Sequence, residues 1–190
     1  MIELGTGYAQ GVTATIRAAQ PEDAPDLGAV HVAAWQWAYR GLMPDDLLDS
    51  LRPESRARAW EAWLTGSDAE QGFAAWVAEV EGSIVGFASS SEGREDDMDE
   101  DTVELLTIYL LEPLVGTGIG SALLKAAEAA WRQEGRRTAV LWVLADNDRS
   151  RRFYETHGWH TDGVTKMQSF GAGTQVEAIR YHKVLTAAAP

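Results

Sequence analysis

The chain of 190 residues has no cysteine, and its 16 Lys and Arg are outnumbered by 29 Asp and Glu, a formal net charge of −13. Without Cys there is no disulfide framework, no thiolate metal site and no cysteine nucleophile, and nothing in the chain is adapted to an oxidising compartment. The shortage of basic residues, with no dense basic stripe, argues against nucleic acid, because binding a polyanion relies on Lys and Arg neutralising phosphates and releasing counterions. No apolar run approaches the roughly 20 residues that span a bilayer, and the N-terminal MIELGTGYAQG lacks the basic and apolar regions of a signal peptide. The expectation is a cytoplasmic protein with neither a nucleic-acid nor a membrane partner. Acidity favours solubility first and a cationic small substrate or peptide second. Hydrophobic residues make up 45% of the chain, enough for one full core at this length. A single domain over residues 12–190 is expected after a loose, flexible leader of residues 1–11.

Strand-like and helical patterns alternate from residue 12 onward. Residues 12–17 read as a first strand, and Pro21 with the acids after it opens an amphipathic helix carrying Leu27, Val30, His31, Ala34 and Ala38 up to Gly41. Pro44 and Pro53 reopen helices over 45–51 and 54–64. The apolar runs 73–80 and 84–89 flank Glu81-Gly82-Ser83 and predict a tight hairpin. Residues 92–101 hold seven acids and one Arg and read as a solvated loop. A long strand over 103–111 leads into the glycine-rich turn 116–120, from which Ile119, Leu123, Ala126, Ala127 and Ala130 trace one helical face to Gly135. The run 138–144 fits a strand buried on both faces, and Asp146-Asn147-Asp148 caps a helix ended by Gly158. Runs 159–165 and 176–184, joined through Gly171 and Gly173, complete a mixed α/β sheet.

The loop Glu112-Pro-Leu-Val-Gly-Thr-Gly-Ile-Gly-Ser121 places glycines where a strand ends and a helix begins. Backbone N–H groups there approach an anion closely, and the helix N-terminus adds about half a positive charge. A diphosphate suits such a loop; a tight turn with positive φ and no ligand is the alternative. A dinucleotide fingerprint needs its third glycine where Ser121 stands, and a Walker loop needs a Lys at that same position.

ELLTIYLLEPLVGTGIGSALL at 104–124, with NDRSRRFYETHGW at 147–159, resembles the GNAT superfamily of N-acetyltransferases. That family's signature is Q/R-x-x-G-x-G/A after a strand, with N-x-x-(A/S)-x-x-FYE-x-x-GF further on. AWQWAYRGLMPDDLLDSL at 34–51 and EVEGSIVGFAS at 79–89 are similar to its N-terminal half, so the resemblance spans about residues 13–185. It implies an α/β fold with a mixed, mostly antiparallel seven-stranded sheet, flanked by helices and splayed between its fourth and fifth strands, where acetyl-CoA inserts as co-substrate. Carried over by position, Ile108, Tyr109 and Leu110 supply the fourth-strand backbone that meets the pantetheine arm. The amides of Gly116, Thr117, Gly118, Ile119, Gly120 and Ser121 hold the pyrophosphate, and the matching Asn147 contacts the CoA arm, although capping of its helix also explains it. Val115 stands where the family has Gln or Arg, which removes a side-chain donor but leaves the backbone cradle, so weaker CoA affinity is expected.

Amide formation from a thioester needs a neutral amine, stabilisation of the tetrahedral oxyanion and a proton for the departing thiolate. By the resemblance Tyr154 gives that proton; read alone it is a core aromatic beside Phe153, the usual fate of an aromatic at helical spacing. Glu104, at the start of the fourth strand, matches a glutamate that in many relatives takes the amine's proton directly or through water; read alone it is a carboxylate facing solvent. The Leu110 N–H, left unpaired by a splayed strand, is the expected oxyanion donor. Trp35, Trp37, Trp60 and Trp63 cluster in the helical region that in the family borders the acceptor pocket. With Tyr39, those not packed in the core would hold an aromatic or cationic amine acceptor by stacking or cation–π contact. The acidic loop, with Asp96, Asp97 and Asp99, is either a solvated tip or a selector of cations. His157 and His160 lack a Cys or a spaced carboxylate nearby, so no metal is expected. The resemblance thus implies direct acetyl transfer to a primary amine of a small molecule or peptide, with a homodimer common among relatives. A non-catalytic acyl-CoA-binding module and a nucleotide-binding α/β domain are the other readings of the same loop.

Overall fold

The computed structural model describes residues 6–9, 12–66, 72–93, 95, 98–170 and 173–185. Arg94, Asp96 and Asp97 of the acidic loop, Gly171 of the last connection and most of the expected leader lie outside the described residues.

Residues 6–9 correct one expectation. They fall within the supposed leader yet form β1 (Thr6–Ala9), paired antiparallel with β2 (Val12–Ala18) from Thr6↔Thr15 to Ala9↔Val12. TGYA is too short and too weakly alternating to announce a strand by itself. Its place follows from β2, which would otherwise leave a row of unpaired backbone groups at the sheet edge. Among the described residues the sheet therefore has eight strands, in the order β1-β2-β3-β4-β5-β6-β8-β7. The further strands are β3 (Ala74–Val80), β4 (Ser83–Glu92), β5 (Thr102–Leu110), β6 (Thr138–Leu144), β7 (His160–Ser169) and β8 (Gln175–Val184). Every neighbouring pair is antiparallel except β5 and β6.

Helices cover both faces. On one lie α1 (Ala24–Ala38) and α3 (Pro53–Thr65), with the short α2 (Asp45–Ser50) between them in sequence. Leu27, Val30 and Trp60 pack there against Val77, Ile84 and Phe87. At Gly28 the two helices meet backbone to backbone: an added Cβ would lie 2.5 Å from Pro53 O and 2.6 Å from Ala57 N. On the other face α4 (Ile119–Gln133) buries Ile119, Leu123, Leu124, Ala127 and Trp131 over the central strands. The shorter α5 (Asp148–Thr156) starts as expected at Asn147, whose Oδ1 accepts from the Ser150 N–H at 3.1 Å.

The sheet parts between β5 and β6. Their parallel register runs only from Thr102↔Thr138 to Leu105↔Leu141. It stops where β5 meets an irregularity, because Ser90 pairs with Leu105 and Ser89 with Thr107, leaving Leu106 as an extra residue. A bulge of this kind bends and twists its strand, and here it turns the second half of β5 away from β6. The bulge also changes which residues share a face. Leu105, Ile108 and Leu110 all point toward the α4 side, so Glu104 lies on the opposite face with Tyr109.

Candidate active site

Ladder geometry decides what the open seam presents. Leu111 donates its N–H to Val85 O at 2.9 Å, and Tyr109 pairs with Phe87. In an antiparallel ladder alternate residues bond to the same neighbour. The backbone N–H and C=O groups of Ile108 and Leu110 therefore point away from β4 and into the seam, where β6 no longer pairs with them.

Around the seam lies a cleft of about 670 Å³. It is lined by every residue that sequence reasoning assigned to the site except Glu104, Thr117 and Ile119. Glu104 sits in the closed part of the seam, opposite Ser91 and Val140. Thr117 is tied into its own loop, with both its N–H (3.3 Å) and its hydroxyl (2.6 Å) donating to Leu114 O. Ile119 has a fully buried side chain in the core.

The glycine loop ends in a concave turn of unpaired backbone donors that can cradle an anion. Gly116 and Gly118 have φ of 83° and 87°, left-handed values that an L side chain adopts only with strain, and Gly118 is the N-cap of α4. The first α4 bond runs from Ala122 N to Gly118 O, so the N–H groups of Ile119, Gly120 and Ser121 have no intrahelical partner. These donors and the helix dipole face the same space. His157 braces the cradle. Its Nδ1–H donates to Phe153 O at 2.7 Å, which leaves Nε2 to accept from the Ser121 hydroxyl at 2.9 Å. Val115, 40% exposed, adds no side-chain donor.

Three phenols converge deeper in the cleft. Tyr154 is buried on α5 against Phe153 and Trp159, and its hydroxyl has no hydrogen-bond partner among the described residues. Burial pushes its ionisation well above the ordinary tyrosine range, and nearby Tyr39 adds to the shift. The Tyr39 and Tyr109 hydroxyls share a hydrogen bond of 2.7 Å, and burial raises both of these groups as well. All three stay protonated at physiological pH and offer O–H groups rather than charge.

The wall behind them adds four residues that sequence reasoning did not assign to the site, His31, Arg56, Arg149 and Phe170. His31 is 3% exposed, and its Nδ1 accepts from Trp60 Nε1 at 3.3 Å, so Nε2 carries the proton. Burial, assisted by Arg56, lowers its ionisation to about 3. The unfolded chain, titrating near the ordinary 6.5, takes up this proton first. Stability is thus full above about pH 6.5 and is lost as pH falls toward 3, by about 1.4 kcal/mol per unit. Urea unfolding between pH 6.5 and 5 is expected to show about 2 kcal/mol more acid loss in the wild type than in His31→Gln; equal losses would contradict the assignment. Phe170, from the β7–β8 connection, packs edge-on to Trp35 with ring centroids 5.9 Å apart. Arg56 of α3 lies over the Trp35 ring at 5.1 Å, and Arg149 of α5 over Trp37 at 3.9 Å. Trp60 is fully buried, whereas Trp35, Trp37, Trp63 and Tyr39 line the cleft. No Asp or Glu is among the described residues that line it. Of the acidic loop, Glu95 is ion-paired with Lys166 of β7, whose Nζ lies 3.8 Å over the ring of Trp142, a residue of the cleft lining.

The sheet is thus parted between its two parallel strands, with the glycine turn heading the next helix, an arrangement shared with acetyltransferases. The sequence model of the acetyltransferase (GNAT) family matches residues 30–159, and the chain belongs to that family. It is 35% identical over 145 residues to the uncharacterized N-acetyltransferase YuaI of Bacillus subtilis, covering 75% of this chain and 78% of that protein. Its fold is similar to PaiA N-acetyltransferase from Thermoplasma acidophilum in complex with coenzyme A (TM-score 0.72, 21% identity, 90% of this chain and 98% of that one). It is also similar to YncA of Salmonella typhimurium with its cofactor acetyl-CoA (TM-score 0.68, 22% identity, 93% and 96%).

Proposed function

We propose that the chain transfers an acetyl group from acetyl-CoA directly to a primary amine. The observation that carries this reading is the seam itself, where the backbone groups of Ile108 and Leu110 face open space between the glycine cradle and the Tyr154 hydroxyl. When bound, acetyl-CoA supplies an acyl group activated as a thioester. The amides of Gly118, Ile119, Gly120 and Ser121 would hold its pyrophosphate, with Gly116 shaping the loop, and the Ile108 and Leu110 backbone would align its arm. The amide of Asn147 keeps its Nδ2 free of the helix cap, which uses only Oδ1. The Leu110 N–H would receive the oxyanion, and Tyr154 would pass its proton to the departing thiolate. The burial that keeps the Tyr154 phenol neutral would also leave its proton available to a thiolate formed in the same cleft.

Because Glu104 stands outside the cleft lining, it would draw the amine's proton only through water. Glu104→Gln is expected to lower turnover by a factor that shrinks as pH rises and free amine becomes abundant; a deficit independent of pH would assign Glu104 a structural role. Val115 tests the cradle. Restoring a guanidinium in Val115→Arg is expected to tighten acetyl-CoA about tenfold in isothermal titration, the effect of one added charge-assisted hydrogen bond. Weaker binding in the variant would mean that the phosphates lie elsewhere.

A further inference from the structure

We infer that the acceptor is an amine bearing a carboxylate on an apolar or aromatic body, a zwitterion of the amino-acid type, and that Arg56 holds the carboxylate. The inference rests on the acetyl-transfer reading and names its second substrate.

Charge in the cleft runs opposite to charge in the chain. The chain carries −13 overall, yet the cleft's charged side chains among the described residues are Arg56 and Arg149, with no carboxylate beside them. Arg56 is half-buried and has no ion-pair partner among the described residues. A guanidinium removed from water without a counter-ion is unfavourable unless a ligand supplies the anion. The Arg56 Cζ lies 5.1 Å from the Trp35 ring centroid, and no hydrogen bond or ion pair among the described residues engages the N–H groups of its guanidinium, whose fork matches a carboxylate with two parallel hydrogen bonds.

The cofactor does not account for this charge. Arg56 stands on α3, which with α1 covers one face of the sheet, whereas the anion cradle heads α4 on the other face. The cleft runs through the seam between them, so a nucleotide entering from the α4 side leaves Arg56 at the far wall. Around Arg56 that wall is aromatic and neutral: Trp35, Tyr39, Tyr109 and Phe170, with His31 held uncharged behind them. Such a box suits an apolar side chain. It offers a polycation no carboxylate and sets two guanidinium groups against it.

The test compares L-phenylalanine with phenethylamine, and L-tryptophan with tryptamine, pairs that differ only in the carboxylate, with spermidine as the polycation. Binding is read by calorimetry on the CoA-saturated protein, so the answer does not depend on turnover. The wild type is expected to bind the carboxylate member at least about tenfold more tightly, and Arg56→Ala and Arg56→Gln to bring the ratio near one, with Arg56→Lys between. CoA affinity is expected to be the same in all three variants. Equal binding of both members by the wild type, tighter binding of spermidine, or a preference that survives loss of Arg56 would overturn the inference. So would a parallel loss of CoA affinity, which would assign Arg56 to the cofactor. Selective binding of the zwitterions without acetylation of any amine would instead overturn the transfer reading and leave the acceptor site standing.

Discussion

Tyr154→Phe is expected to lower kcat by about 10²–10⁴-fold while leaving the acetyl-CoA dissociation constant nearly unchanged. The substitution keeps the ring that packs against Phe153 and Trp159 and removes only a hydroxyl that has no partner among the described residues. Stability should therefore stay within about 0.5 kcal/mol of the wild type, so a slow variant is a chemical result and not a folding one. The pH profile carries a second signature. Since burial raises the Tyr154 ionisation, the active O–H form persists above the ordinary value near 10, and activity should show no tyrosine-linked decline as pH passes that value. Unchanged turnover in Tyr154→Phe, measured by release of the CoA thiol, would remove Tyr154 from the reaction.

Glu128→Ala is expected to destabilise the fold by about 3–5 kcal/mol in urea unfolding at neutral pH. Glu128 is 5% exposed on α4 and accepts from Lys183 Nζ at 2.7 and 2.8 Å, from Trp159 Nε1 at 3.2 Å and from Arg132 at 3.1 Å. Lys183 also donates to His157 O at 2.7 Å, at the end of α5. One carboxylate thus joins the helix that heads the anion cradle to the end of the helix that carries Tyr154. Removing it strands a mostly buried ammonium and an indole N–H at once. The pair Glu128→Leu with Lys183→Met removes both charges, so it is expected to recover most of the loss. A loss below about 1 kcal/mol in the single variant would mean that the network is solvated and does not hold the two helices together.

What could be read from the chain was what is local in it. The strand Thr138–Leu144 and the Asn147 cap stand where the apolar run and the Asp-Asn-Asp cluster put them. The cradle was legible because its glycines and its helix start lie within a few residues of each other. The strand at residues 6–9 was not, since it exists only through its register with β2. Glu104 and Leu110 looked alike as residues of one strand, but the extra residue at Leu106 changes the parity between them, and the reason for that lies across the sheet in Ser89 and Ser90. The acceptor wall was least legible of all. Tyr39 meets Tyr109 across 70 positions, and Arg56 reaches Trp35 only because α1 and α3 touch at Gly28. No periodicity or spacing encodes contacts of that kind.

The central claim is that the seam between β5 and β6, with its glycine cradle, binds acetyl-CoA. Thermal unfolding of the purified protein with acetyl-CoA, CoA, NAD and ATP tests it most directly, because a ligand at 100 times its Kd stabilises the folded state by about 2.7 kcal/mol. Stabilisation by acetyl-CoA and CoA, absent with NAD and ATP, is the result expected. No shift with either CoA species, or an equal shift with NAD or ATP, would contradict the claim and make the cradle a general nucleotide site or an empty turn.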